Sequence, residues 1–339
     1  MEKILYLAHV ESDGTLSKAA LESLGAAVEL SKKLSGSSLS VGLIGSQAEK
    51  AAGSIASCGA TSFFAVSGPE FDCSRYSTDA AAIEALGRQT QATLMVAAGT
   101  SRFGRAVPGA TFRLNGRIDS RITGFTVENN SFQIQRWFYR QRMMSTQTRA
   151  QRPWALLLDP GVFSPWAGQP GTTSVQSIAV NLPELRTRVL GTETATTGPQ
   201  TIRPDAKLLF VTGAGWTKKQ SDGQPHVKEA EDLIINFLEK TRASLGSTKS
   251  LVDQTGDGQQ VISLLSHINQ VGQTGSTPRH QKGLSTCCHG EEPHTVGWRF
   301  INERRAINLD ANCGWAQGKA DVLYVADAFQ VLKKVNELL

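Results

Sequence analysis

The sequence predicts an α/β protein of two domains: an N-terminal parallel-sheet α/β domain with a β-rich extension, and a C-terminal doubly wound domain. Short apolar runs alternate with stretches of helical spacing at both ends of the chain, which is typical of parallel sheets flanked by helices. The chain has 339 residues, and this length exceeds what one hydrophobic core usually serves.

The first domain is predicted over residues 1–190. Its strands are predicted at residues 4–8, 39–44, 61–66 and 93–98, and its helices at residues 16–34 and 48–57. From residue 118 to residue 158, polar and apolar side chains alternate, which predicts antiparallel strands with one face in water. The loop after the fourth strand begins at Gly99, at the sheet edge that usually carries function.

A linker is predicted at residues 191–204, because this stretch is rich in Thr, Gly and Pro and has no apolar periodicity. The second domain is predicted over residues 205–339. Its elements are a strand at 207–211, an amphipathic helix at 227–245 ended by Gly246, strands at 249–253 and 305–308, and a last strand and helix within 321–339.

Composition limits the classes of function. Hydrophobic residues make up 40% and charged residues 19% of the chain, which is ordinary for a globular protein. No apolar run approaches the ~18 residues of a membrane span, and no signal-type segment opens the chain, so we expect a cytoplasmic protein without a membrane span. The five cysteines are an odd number, which argues against a disulfide framework. The net charge is +5, but the sequence contains no recognisable nucleic-acid reader motif. No nucleic-acid partner is therefore expected.

The run from Val271 to Gly275 (VGQTG) is the strongest candidate for a binding site. Its glycines allow close approach of the backbone, and its N–H groups can meet a pyrophosphate. The side chains of Gln273 and Thr274 can hydrogen-bond a polar ring edge. On spacing alone the run is only a glycine-rich turn. A second motif, AINLD, follows at residues 306–310.

Residues 271–310 resemble, without a gap, the flavin-binding stretch of the electron transfer flavoprotein alpha subunit family, which carries VGQTG, a strand, a small-residue turn ending in His, and AIN-x-D. Residues 4–24 resemble the opening strand, Asp-Gly turn and first helix of that family, and residues 99–124 its glycine- and arginine-rich loop region. The resemblance identifies the chain as a divergent member and implies FAD bound in the C-terminal domain. The implied cofactor-binding residues are Thr248, Lys249, Gly272, Gln273, Thr274, Gly275, His289, Gly290, His294, Asn308 and Asp327.

The resemblance also implies individual roles. Lys249 takes the position of an arginine near the isoalloxazine ring, where a cation stabilises reduced flavin; the alternative is a surface lysine on a strand. His294 would donate to the pyrimidine carbonyl of the ring, or it is a hydrogen-bonded loop histidine. The amide of Asn308, at a strand end, could bind adenosine or ribose. Asp327 matches an acidic residue of the family, and the alternative is a helix N-cap.

The chain departs from the family at several positions. Gly215 stands where the family has an arginine, and Lys218 or Lys219 could replace that charge. Cys287 and Cys288 replace small residues of the turn. A metal site there with the nearby histidines is disfavoured, because adjacent cysteines rarely ligate one ion and no C-x-x-C motif is present. The segment 254–270 is longer than its family counterpart.

Three functions are considered, and we expect the first. The first is an electron carrier: a heterodimer with an electron transfer flavoprotein beta subunit that takes electrons from a flavin dehydrogenase and passes them to a membrane-associated quinone oxidoreductase or a similar acceptor. Such a carrier transforms no substrate of its own, so no catalytic residue is predicted. The second is a scaffolding subunit that lacks FAD. The third is an NAD-dependent oxidoreductase, which the missing G-x-G-x-x-G motif disfavours.

Overall fold

The chain folds into two compact units, residues Met1–Thr192 and Glu193–Leu339. Each unit contains a largely parallel sheet, so the two-domain α/β class predicted from the sequence is confirmed. The computed structural model describes residues 1–128, 131–138, 143–182, 184–191, 202–203, 205–253, 262–271, 279–286 and 301–339. Most of the predicted linker, residues 192–201 and 204, lies outside this described part.

The first unit begins with alternating strands and helices. Its strands are β1 (Lys3–His9), β2 (Ser38–Ile44), β3 (Ser62–Val66), β4 (Leu94–Ala98), β5 (Arg117–Glu128), β6 (Ser131–Phe138), β7 (Met143–Gln147), β8 (Trp154–Leu158) and β9 (Val175–Ser177). Its helices are α1 (Lys18–Lys33), α2 (Ala48–Ser54), α3 (Pro69–Asp72), α4 (Tyr76–Thr90) and α5 (Ser101–Arg113). Helix α1 begins where the Ser17 side chain accepts a hydrogen bond from the Ala20 N–H, as in a typical N-cap.

The described strands of this unit form one sheet in the order β7-β6-β5-β8-β4-β1-β2-β3-β9. The antiparallel arrangement predicted from residue 118 onwards is confirmed for β5, β6 and β7. It is wrong for β8, which lies parallel to both β4 and β5. All five residues of β8 are buried, and such a continuous apolar run suits a strand that is covered on both faces.

Two hydrophobic cores cover the two faces of this sheet. Successive side chains of a strand point to opposite faces, and β1 shows the pattern directly. Ile4, Tyr6 and Ala8 pack in one core, whereas Leu5 and Leu7 pack in the other. The apolar run at the start of the chain is therefore the buried centre of the first unit.

The second unit contains strands β10 (Leu208–Thr212), β11 (Ser244–Ser247), β12 (His280–Thr286), β13 (Ile301–Asn308) and β14 (Val322–Val325). Its α-helices are α6 (Val227–Thr241), α7 (Lys249–Asp253), α8 (Gly314–Lys319) and α9 (Ala328–Leu338), and short 3-10 helices span Ala214–Thr217 and His267–Asn269. The described strands are all parallel, in the order β11-β10-β12-β13-β14. If the five strands are numbered 1 to 5 along the chain, their order in the sheet is 2-1-3-4-5. This is a doubly wound sheet, and its strand order reverses between β10 and β12.

Two predictions for the second unit are wrong. Helix α6 ends at Thr241, because Arg242 adopts a left-handed conformation (φ 54°), and Gly246 lies inside β11 instead of ending the helix. Residues 249–253 form helix α7, and the strand lies before them. The apolar spacing of α6 continues through the buried residues Ala243 and Leu245, so local periodicity could not separate the helix from the strand.

Candidate functional site

Ligands of open α/β sheets bind at the carboxyl ends of the strands, where the strand order reverses. In the second unit this point lies between the ends of β10 and β12. The Gly213 N–H donates a hydrogen bond to the Thr286 carbonyl (2.8 Å), so the turn after β10 is joined to β12. The 3-10 helix Ala214–Thr217 follows at once and is almost completely buried. The turn that contains Gly213 and Gly215 therefore forms one wall of the crevice.

Trp216 is the main side chain of this wall, and it was missed by the sequence reasoning. The indole is fully buried, its Nε1 donates to Thr286 Oγ1 (2.8 Å), and its ring packs on Phe329 at 4.6 Å between centroids. A tryptophan beside a glycine turn was a visible signal. Gly215 is buried, and Lys218 and Lys219 are exposed.

Buried polar side chains gather at the end of β11, next to β10. Ser247 and Thr248 are fully buried, and Gln270 is 5% exposed. The Thr248 N–H donates to the carbonyl of Thr212 (2.9 Å), and the Val271 N–H donates to that of Ser247 (3.0 Å). The chain therefore enters the VGQTG run beside the carboxyl end of β11.

Three oxygens of this cluster make no hydrogen bond to any described residue: Ser247 Oγ, Thr248 Oγ1 and Gln270 Oε1. More than nine in ten buried polar groups are satisfied in folded proteins, so each exception needs an explanation. One other amide oxygen in the described part of this unit, Asn336 Oδ1 on α9, shares this property. Unpartnered oxygens are thus concentrated at one strand end, where a polar ligand could satisfy them.

Of the predicted site residues, Thr248 belongs to this cluster, and Lys249 is its neighbour. Lys249 opens α7, its side chain is 67% exposed, and it forms an ion pair with Asp253 at 2.9 Å. Lys249 is thus a surface lysine on a helix and not on a strand. Its ammonium group is available to a ligand at the carboxyl edge of the sheet.

Asn308 and Asp327 meet at the other side of the crevice. Asn308 ends β13 and is 3% exposed, and its Oδ1 accepts from the Asp310 N–H (3.1 Å). Asp327 is the N-cap of α9 and accepts from the Phe329 N–H (2.8 Å) through Oδ1, so the N-cap alternative is observed. Both residues line a cavity of ≈ 10 Å³ that Gly215 also borders, about the space of one water molecule.

The remaining predicted site residues lie outside the described residues, and so do Cys287 and Cys288. They are Gly272, Gln273, Thr274, Gly275, His289, Gly290 and His294. Within the described ranges, no group of three or more His, Cys, Asp or Glu residues is arranged to hold a metal ion.

A family model described as the electron transfer flavoprotein domain matches residues 4–185, more than half of the chain. The chain belongs to the electron transfer flavoprotein family. A search of curated proteins finds no match to it. The matched residues fall within the first unit.

The first unit of this electron transfer flavoprotein holds a buried ionic cluster at the carboxyl edge of its sheet. Asp79 on α4 is fully buried and bonded to the Arg102 guanidinium (2.7 Å), and His9 Nε2 lies 3.4 Å from the same carboxylate. Burial raises the pKa of Asp79, but the hydrogen bonds from Arg102 and the charges of His9 and Arg102 outweigh it, so the pKa is lowered. Burial lowers the pKa of His9, and the charge of Arg102 adds to this effect.

A second buried carboxylate, Asp119 on β5, joins three strands of the same sheet. Arg136 on β6 (2.6 Å), Arg149 (2.8 Å) and the Trp154 indole on β8 (2.9 Å) all donate to it. Burial raises the pKa of Asp119, but the bonds from Arg149 and Trp154 and the two arginine charges outweigh it, and the pKa is lowered. Arg136 and Arg149 are thus structural residues, because both neutralise a buried carboxylate. In the part of the chain that the structure describes, no helix combines the length and apolarity needed to cross a membrane.

Proposed function

We propose that this chain is the alpha-type subunit of an electron transfer flavoprotein and that it binds FAD in its second unit. The observation that carries the proposal is the group of buried, unpartnered oxygens of Ser247, Thr248 and Gln270, which lies at the carboxyl edge of a doubly wound sheet. Family membership and the resemblance of residues 271–310 to a flavin-binding stretch support it.

When bound, FAD supplies the reversible uptake of one or two electrons. The residues of the chain bind and orient it. The Thr248 hydroxyl and the Asn308 amide are the described hydrogen-bonding groups, and Lys249 brings a positive charge that favours added electrons. Asp327 Oδ1 accepts both cap bonds, so its N-cap role leaves Oδ2 able to accept a hydrogen bond from a ligand hydroxyl.

The proposed assembly is a heterodimer with an electron transfer flavoprotein beta subunit. The N-terminal domain predicted from the sequence, residues 1–190, would contact that partner. A flavin dehydrogenase would be the electron donor, and a membrane-associated quinone oxidoreductase the acceptor. These partners come from the resemblance to the alpha subunit family.

A scaffolding subunit without FAD is the second candidate. The observation that favours it is Gly215, which is buried and brings no charge to the turn where the family has an arginine, while Lys218 and Lys219 point into solvent as exposed residues.

The test is the visible spectrum of the chain purified together with its beta-type partner. Absorption bands near ~370 and ~450 nm, at about one flavin per heterodimer, support the carrier. A well-folded but colourless heterodimer that takes up no added FAD contradicts it and leaves the scaffold. The variant Lys249→Gln, compared with Lys228→Gln on α6, should lower the reduction potential of the bound flavin by tens of millivolts.

A further inference from the structure

Ser247 and Gln270 form a side-by-side pair at the end of β11. They are direct partners in a parallel β-bridge, and the Val271 N–H donates to the Ser247 carbonyl (3.0 Å). Side chains of directly paired residues lie on the same face of a sheet. The Ser247 hydroxyl and the Gln270 amide are therefore neighbours on one face.

Both side chains of the Ser247–Gln270 pair are buried without a partner. Ser247 is 0% and Gln270 5% exposed, and Ser247 Oγ and Gln270 Oε1 reach no hydrogen-bonding group among the described residues. A donor or acceptor buried in this way lowers stability unless something else satisfies it. The pair is thus unexplained by the packing of the described chain.

The same strand shows how a buried serine is normally accommodated. Ser244, at the amino end of β11, is also 0% exposed. Its Oγ accepts from the Arg203 N–H (2.8 Å) and donates to the Arg203 carbonyl (3.1 Å). The Ser244 hydroxyl, at the edge away from the crevice, is therefore satisfied. The Ser247 hydroxyl, at the crevice edge, has no partner among the described residues.

We propose that the Ser247–Gln270 pair positions the flavin ring by hydrogen bonds to its pyrimidine edge. This inference rests on the proposed FAD function and adds two residues that the resemblance does not assign. A hydroxyl donor beside an amide acceptor complements a ring carbonyl beside a ring N–H. A pyrophosphate suits the pair less well, because its oxygens are acceptors only and would leave Gln270 Oε1 without a donor.

The test uses the flavin-stripped heterodimer and the variants Ser247→Ala and Gln270→Leu. Each variant removes an unsatisfied group, so the melting temperature without flavin should stay equal or rise. The affinity for FAD should fall about three- to ten-fold, the value of one or two lost hydrogen bonds. Ser244→Ala is the matched control: it should lower the melting temperature and leave the FAD affinity unchanged.

Three ligands identify which end of the cofactor the pair contacts: FAD, lumiflavin, which keeps the ring but lacks the ribityl chain, and ADP, which keeps the adenine end. Weaker binding of FAD and lumiflavin with unchanged binding of ADP supports the proposal. Equal weakening of ADP overturns it in favour of the ADP half of the cofactor. Loss of FAD affinity with unchanged binding of both lumiflavin and ADP overturns it in favour of the ribityl chain.

Two further outcomes separate this inference from the proposed function. If the wild-type heterodimer binds FAD and both variants bind it equally well, the inference is wrong and the proposed function stands. If the wild-type heterodimer binds no flavin, the proposed function is wrong and the inference falls with it. A lower melting temperature with unchanged affinity marks the pair as structural.

Discussion

Trp216 Nε1 donates a hydrogen bond to Thr286 Oγ1 at 2.8 Å, so the turn after β10 is tied to the last residue of β12. The Thr286 hydroxyl donates in turn to the Val211 carbonyl of β10 (3.0 Å). These two strands flank the point where the order of the second sheet reverses. The two bonds therefore fix the spacing of the candidate crevice at its walls.

Replacement of Trp216 by Phe should disturb this crevice. Trp216→Phe keeps an aromatic ring against Phe329 but removes the N–H bonded to Thr286, and we expect a loss of about 1–3 kcal/mol in unfolding free energy. FAD retention should fall as well. Urea unfolding and flavin content measure the two effects. Trp154→Phe in the first unit, which removes the bond to Asp119, should lower stability and spare the flavin; equal flavin loss in both variants would contradict the assignment.

Neutralising Asp119 should be strongly destabilising. The carboxylate is 1% exposed and pairs with Arg136 and Arg149, so Asp119→Asn leaves two guanidinium groups without their counter-charge. Breaking a buried ion pair in this way costs about 3–5 kcal/mol. Glu29→Gln, in an exposed pair with Lys33, should change stability by less than about 1 kcal/mol. Chemical unfolding that gives similar values for the two variants would refute a structural role for Asp119.

The first unit should lose stability in acid in two stages. The pKa of His9 is lowered from 6.5 in the folded state, so the unfolded state binds more protons as the pH falls below about 6.5, and stability decreases. The pKa of Asp79 is also lowered in the folded state, so stability decreases further as the pH falls below 3.8, the ordinary pKa of an aspartate. Melting curves between about pH 7.5 and pH 4.5 should show a shallower pH slope for His9→Gln than for the wild type. Identical slopes would show that His9 does not carry the first stage.

The close approach of β11 to the VGQTG run gives a further prediction. A Cβ added at Gly246 would lie 2.5 Å from Val271 Cγ2, so Gly246→Ala must push Val271 away and should cost about 1–3 kcal/mol. Flavin affinity should fall with it, since Val271 begins the run. A Cβ added at Gly104 in α5 would touch nothing within 4 Å, and Gly104→Ala should stabilise by about 0.5–1 kcal/mol. Thermal unfolding compares the two, and a neutral Gly246→Ala would show that Val271 yields freely.

Local signals predicted most of the elements, and they failed where two elements share one pattern. The apolar spacing of α6 continues into β11, and only the parallel register of β11 with β10, which pairs Leu209 with Ser244, separates them. Strand β8 is an apolar run at the end of the region predicted as alternating. It is parallel because it lies between β4 and β5 in the sheet. In both cases the partner strand, distant in sequence, decides the outcome.

The candidate site divides in the same way. Asn308 was predicted at the end of an apolar strand run, and this position is confirmed. Thr248 and Asp327 were predicted from the family resemblance alone, and Thr248 follows β11 instead of preceding a strand. Trp216 is visible beside the glycine turn, but its role and that of the Ser247–Gln270 pair could not be predicted from the sequence. Trp216 bonds Thr286, which lies 70 positions later in the chain. Ser247 pairs with Gln270, which lies 23 positions later.

Residue types at short spacing suffice to predict the α/β class, the repeated strand and helix pattern of both units, and the motifs that resemble a flavin-binding stretch. The strand order, the point where it reverses, and the polar side chains that are buried without partners are properties of the folded chain alone. Burial and hydrogen-bond satisfaction depend on elements that meet in space, and spacing along the chain does not record them.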